Sequence, residues 1–162
     1  MAPSKKTMLF VCLLVATSAM VVPASAQFGL GDLLNFLRIG SIQGILFCSG
    51  NGTATVGSNG TIISPPFSNA TVQLRCGSGN GTVISTGITS STGQISIPLN
   101  ILSFSLSQIL SGCRLVVATP LAQCNVTLPS VGTLTSNLIR NGTITIGGIN
   151  IPILSPIGFT LT

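Results

Sequence analysis

Residues Ala70–Cys76 read ATVQLRC. Val72 and Leu74 fall on one side of an extended chain, Gln73 and Arg75 on the other. A period of two is the mark of a half-buried strand. The same signature recurs on both sides of this stretch. IQGILFC (Ile42–Cys48) precedes it, and TVISTGIT (Thr82–Thr89) and QISIPL (Gln94–Leu99) follow, separated by the turn cluster Ser-Ser-Thr-Gly. RLVVATP (Arg114–Pro120) is apolar and β-branched enough to be buried on both faces. TITIGGINIPIL (Thr143–Leu154) alternates again across Gly147-Gly148, and IGFTLT ends the sequence. LSFSLSQIL (Leu102–Leu110) fits a strand or a short helix equally. Ser64-Pro65-Pro66 and Thr119-Pro120 break ladders and belong to loops or edges. Short strands at this spacing predict an all-β chain: a single antiparallel β-sandwich or a small barrel-like domain.

The N-terminus differs in kind. Lys5 and Lys6 precede the apolar run Met8–Val22, and Pro23 and Ala24-Ser25-Ala26 follow it. This order predicts a secretory signal peptide over residues 1–26, cut between Ala26 and Gln27. The apolar run is short of the roughly 20 residues that a spanning helix needs, so no stable membrane insertion is expected. Residues 27–41, QFGLGDLLNFLRIGS, carry Asp32 as an N-cap, an apolar stripe and Gly40 as a stop. They predict a short helical lead-in to a β domain over 42–162.

Composition excludes much chemistry. The chain contains no His, Tyr, Trp or Glu, and after cleavage Asp32 is its one acidic side chain. General acid–base catalysis needs a group titrating near neutrality, glycoside hydrolysis needs two carboxyl groups, and a serine nucleophile needs a neighbouring base. No catalytic residue, cofactor site or metal site is therefore predicted. Four arginines (Arg38, Arg75, Arg114 and Arg140) against Asp32 leave the mature chain at +3, and they are scattered along the sequence. Nucleic-acid binding calls for clustered cations and stacking aromatics, and is not expected.

Cys12 leaves with the signal. Cys48, Cys76, Cys113 and Cys124 remain, an even number in an exported chain, which implies two disulfides in any of three connectivities. Asn-Gly-Thr occurs at Asn51, Asn59, Asn80 and Asn141, and Asn69 and Asn125 complete six Asn-x-Thr triplets. Composition alone would give about two or three glycosylation acceptors. The excess predicts N-glycans, with Asn51, Asn59 and Asn80 the best sites. Asn-Gly also suits a type I′ hairpin turn, which would place these residues at exposed tips.

The stretches GILFCSGNGT, PPFSNATVQLRCG, STGQISI, GCRLVVATPLAQCNVTLPSVGTL and PIGFTL together resemble the phylloplanins, a family of secreted plant proteins within the wider olive-pollen-allergen-like group. LVVATPLAQCN, with Cys113 before it, is the most specific string. The resemblance implies an all-β sandwich, secretion to aerial plant surfaces and defence against spores of filamentous pathogens. The expected partner is then a spore wall or membrane component. It also implies Cys48–Cys124, and with it Cys76–Cys113; a local Cys113–Cys124 bridge is the competitor. The pollen group usually carries six cysteines, so its pattern transfers only in part. The alternative function is a structural cell-wall or cuticle protein, or a carrier of a small apolar ligand, which the 45% hydrophobic content also suits.

Overall fold

The computed structural model describes residues 40–99, 104–146 and 148–162. The expected signal segment, its expected cleavage point and residues 27–39 of the expected lead-in lie outside the described residues. The lead-in was expected to run to Ser41. Instead Ser41 opens the first strand, β1 (Ser41–Ile45), and the described α-helix lies elsewhere.

The architecture grows from β2 (Thr71–Cys76), the ATVQLRC stretch. Val72 and Leu74 are fully buried, while Gln73 and Arg75 are half-buried on the opposite face. Both edges of β2 are paired. β3 (Thr82–Ile88) runs antiparallel on one side and β5 (Cys113–Val117) antiparallel on the other. Leu115, Val116 and Val117 are all buried, as the apolar run predicts.

β6 (Leu134–Ile146) carries the sheet onward. Its first half pairs with β5 and with the short β8 (Thr160–Leu161), and its second half pairs with β7 (Ile149–Pro156). The change of partner falls between Asn137 and Leu138, and a register shift between Arg140 and Gly142 lies within the β7-paired half. Such a bulge bends and twists a strand, here just past the point where β6 changes partner. β7 then meets β1, and β1 meets β4 (Gln94–Pro98), giving the order β3-β2-β5-β6-β7-β1-β4. The two ends of that order come together without a ladder: Ser85 Oγ on β3 donates to the Pro98 carbonyl on β4 at 3.2 Å. The result is one wrapped, nearly closed barrel-like sheet. Of the two architectures expected, the barrel-like one describes this sheet. The expectation of an all-antiparallel sheet also needs correction. β1 and β7 run parallel, with Ser41 opposite Ile153 and Ile42 opposite Leu154.

LTSNLIR, at the start of β6, was not foreseen as strand. Its inward residues are Leu134, Ser136 and Leu138, and the serine hides the apolar alternation. Ser136 is buried at low cost because its hydroxyl donates to Asn137 O (2.9 Å) and accepts from Gly158 N–H (3.3 Å). The ambiguous LSFSLSQIL resolves into a helix, α1 (Leu106–Gly112). Ser105 caps it: its hydroxyl accepts from Gln108 N–H at 3.3 Å, and its own N–H donates to Gln108 Oε1 at 2.9 Å. This capping box starts the helix, and Ile109 anchors it in the core.

The core joins Ile42, Leu46, Phe67, Leu74, Ile95, Ile97, Leu115, Val117 and Leu154 into one cluster. Thr89 is a polar member of the interior. Its hydroxyl donates to Phe67 O (2.6 Å) and accepts from Ala70 N–H (2.9 Å), fastening the loop before β2 to the end of β3. Gly93 ends the β3–β4 turn with φ +74, and a Cβ there would come within 2.3 Å of Leu46 O. Only glycine fits that approach.

Candidate functional site

No titratable pair is assembled in the described domain. Asp32 lies outside it, and among the described residues no group of three Cys, His or acidic side chains could hold a metal. Among the described residues no helix is long and apolar enough to cross a membrane. The chemistry on offer is that of surface groups.

Cys48 pairs with Cys124 and Cys76 with Cys113, closing loops of 76 and 37 residues. Cys76 and Cys113 are direct cross-strand partners on β2 and β5. The antiparallel register then sets their neighbours opposite each other, Arg75 facing Arg114. The arginines are scattered in sequence and two of them are adjacent in space. The signal was present in Arg75-Cys76 and Cys113-Arg114: once these cysteines are joined across antiparallel strands, the arginines must meet.

Like charges directly opposite are unfavourable, and the described domain has no acidic side chain to offset them. Neutral oxygens hold them instead. Arg75 donates from Nε and Nη2 to Gln73 Oε1 (3.0 and 2.7 Å) and from Nη1 to Asn80 O (3.3 Å). Arg114 donates from Nη2 to Gly79 O. Both thereby clasp the turn between β2 and β3. Beside them lies a cleft of about 530 Å³, lined by Arg75, Asn80, Arg114, Val116, Thr133 and Thr135 among others.

All six acceptor asparagines are exposed, but their backbone settings differ. Asn80 lies in the β2–β3 turn, and Asn59 sits in a small hairpin closed by the Val56–Ile62 bridge. Asn51 follows β1, Asn69 precedes β2, and Asn125 follows a 3-10 turn at Leu121–Gln123. Asn141 is at the β6 bulge rather than a hairpin tip. The type I′ expectation is also corrected. Of the described non-glycine residues only Asn69 has positive φ (57°), so Asn51, Asn59 and Asn80 leave that region to the glycine that follows. The third residue matters at three positions. Thr53, Thr61 and Thr127 donate their hydroxyls to the Oδ1 atoms of Asn51, Asn59 and Asn125 at 2.8, 2.8 and 2.9 Å.

Apolar side chains also reach solvent. Val56, Ile62 and Ile63 project from the Asn59 hairpin, and Val126 and Val131 from the loop between the 3-10 turn and β6. A second cleft, of about 350 Å³, opens at the β3–β4 seam against Leu74, Val83, Ile84, Leu99, Phe104 and Ile109.

A disulfide-stapled barrel with a glycosylatable, weakly charged surface is the class of protein these features define. A family model described as "Phylloplanin antifungal protein" matches residues 36–162. A protein from Nicotiana tabacum named phylloplanin is 48% identical over 124 residues, covering 74% of this chain and 75% of the relative. No solved structure matches. The chain belongs to the phylloplanin family.

Proposed function

We propose that this is a secreted plant-surface glycoprotein that inhibits germination of fungal or oomycete spores by binding, without turning over a substrate. Family membership carries the reading, because the matching family is described as antifungal. The side-chain inventory supports the absence of turnover: Asp32 is the one acidic side chain in the sequence, and there is no histidine. Residues 1–26 act as the export signal. Exposure of all six acceptors supports sugar at several of them. Glycans would keep a nearly uncharged surface soluble. The target is a wall or membrane component of the spore.

The test is a germination assay with purified, oxidised protein. Inhibition should follow the protein-to-spore ratio and should not build up catalytically with time. Asp32→Asn should retain it. Loss of inhibition by Asp32→Asn with the fold intact would overturn the non-enzymatic reading. A second reading, carriage of a small apolar ligand, is favoured by the cleft at the β3–β4 seam. Tight uptake of a lipid or terpenoid by protein that is inert on spores would put that reading first.

A further inference from the structure

We propose that the cleft beside Arg75 and Arg114 binds the carboxylates of an acidic polysaccharide, a chain of uronate residues. The inference is independent of the antifungal reading. Arg75 and Arg114 are cross-strand partners on β2 and β5, no acidic side chain lies in the described domain, and the terminal residue Thr162 also lines the cleft. An anion placed between the two arginines removes the repulsion that the register imposes. Planar guanidinium matches a carboxylate in a two-bonded fork. The two arginines divide the work. Arg75 is committed to Gln73 and Asn80 and acts as a fixed charge. Among the described residues Arg114 bonds through Nη2 alone, so its remaining donors can reach a ligand.

The rest of the cleft favours a sugar over other acids. Thr133 and Thr135 bring hydroxyls, which both donate and accept and so match the hydroxyls of a sugar ring. Val116 supplies an apolar floor. It is only 7% exposed yet lies outside the core cluster, so its burial comes from the outer face of the sheet. The volume, about 530 Å³, falls in the range of sites that take small-molecule-sized ligands. One such exposed contact is weak, and a polymer repeats its carboxylate along the chain and so rebinds.

The experiment measures binding of the full glycoprotein from a secreting host, with and without N-glycan removal. The probes are de-esterified polygalacturonate, its fully methyl-esterified form, and phosphatidylserine vesicles. Binding is expected to the de-esterified polymer alone, weakening as NaCl rises from about 20 to about 300 mM. Arg114→Gln and Arg75→Gln should each weaken it about tenfold or more. Arg140→Gln removes the same charge away from the cleft and should change it less than about twofold. Thr135 takes part in none of the arginine hydrogen bonds, and Thr135→Glu should abolish binding by placing a carboxylate at the site, which covers the case of an arginine variant that does not fold. Equal loss in Arg140→Gln would reduce the effect to net charge and overturn the proposal. So would equal binding of the esterified polymer, or preference for the vesicles.

Discussion

The β2–β5 pair and the far half of the β6–β7 pair are both antiparallel ladders, yet they are built for different ends. In β2–β5, Val72, Leu74, Leu115 and Val117 are at most 1% exposed, and a disulfide closes the end. Beyond the bulge in β6, residues 141–145 are all exposed. Side-chain hydrogen bonds tie that region together: Arg140 to Thr143, Asn141 to Ser155 and Thr145 to Asn150. Backbone ladders contribute modestly and similarly wherever they form, because water competes for the same groups. Buried apolar area and covalent closure make the difference. The first region is therefore the one on which the domain stands, and the second is a surface.

The largest break in that comparison is covalent. Reducing both bridges removes constraints on loops of 76 and 37 residues, and each should cost about 2–5 kcal/mol. Thermal melts with and without reductant measure it, and peptide mapping without reduction should recover Cys48 joined to Cys124 and Cys76 to Cys113. A peptide joining Cys113 to Cys124 would refute the pairing.

Core truncation comes next. Leu74→Ala should destabilise by about 2–5 kcal/mol, whereas Ile144→Ala, on a residue 42% exposed, should stay within about 0.5 kcal/mol. Equal denaturation midpoints for the two variants would erase the distinction between the regions. Thr89→Val keeps the shape but strands Ala70 N–H and Phe67 O, at about 1–3 kcal/mol; Thr89→Ser should recover most of it.

The smallest stability effect belongs to the sugars. Enzymatic N-glycan removal should collapse the mass of the native protein towards that of the polypeptide while moving the melting midpoint little, because every acceptor asparagine is exposed. An unchanged mass would leave Asn-Gly-Thr as turn and bulge chemistry alone.

Local patterns were readable because they rest on neighbours in the chain. The alternation of ATVQLRC, the apolar run RLVVATP and the strands flanking Ser-Ser-Thr-Gly all lie where the periodicity puts them. LTSNLIR escaped because a buried serine stands where an apolar residue would mark the face. The Ser105–Gln108 capping box was legible, yet it lay inside a segment whose apolar residues fit either period.

By itself the sequence determined the all-β class, the four cysteines of the β domain, and the near absence of groups for acid–base chemistry. These are properties of composition and of contacts a few residues apart. Tertiary structure alone decided that the sheet wraps into a barrel, that β1 lies parallel to β7, and that Arg75 faces Arg114. Each depends on pairing between segments tens of residues apart. A period-two pattern says which face of a strand is buried, but not which strand it is buried beside.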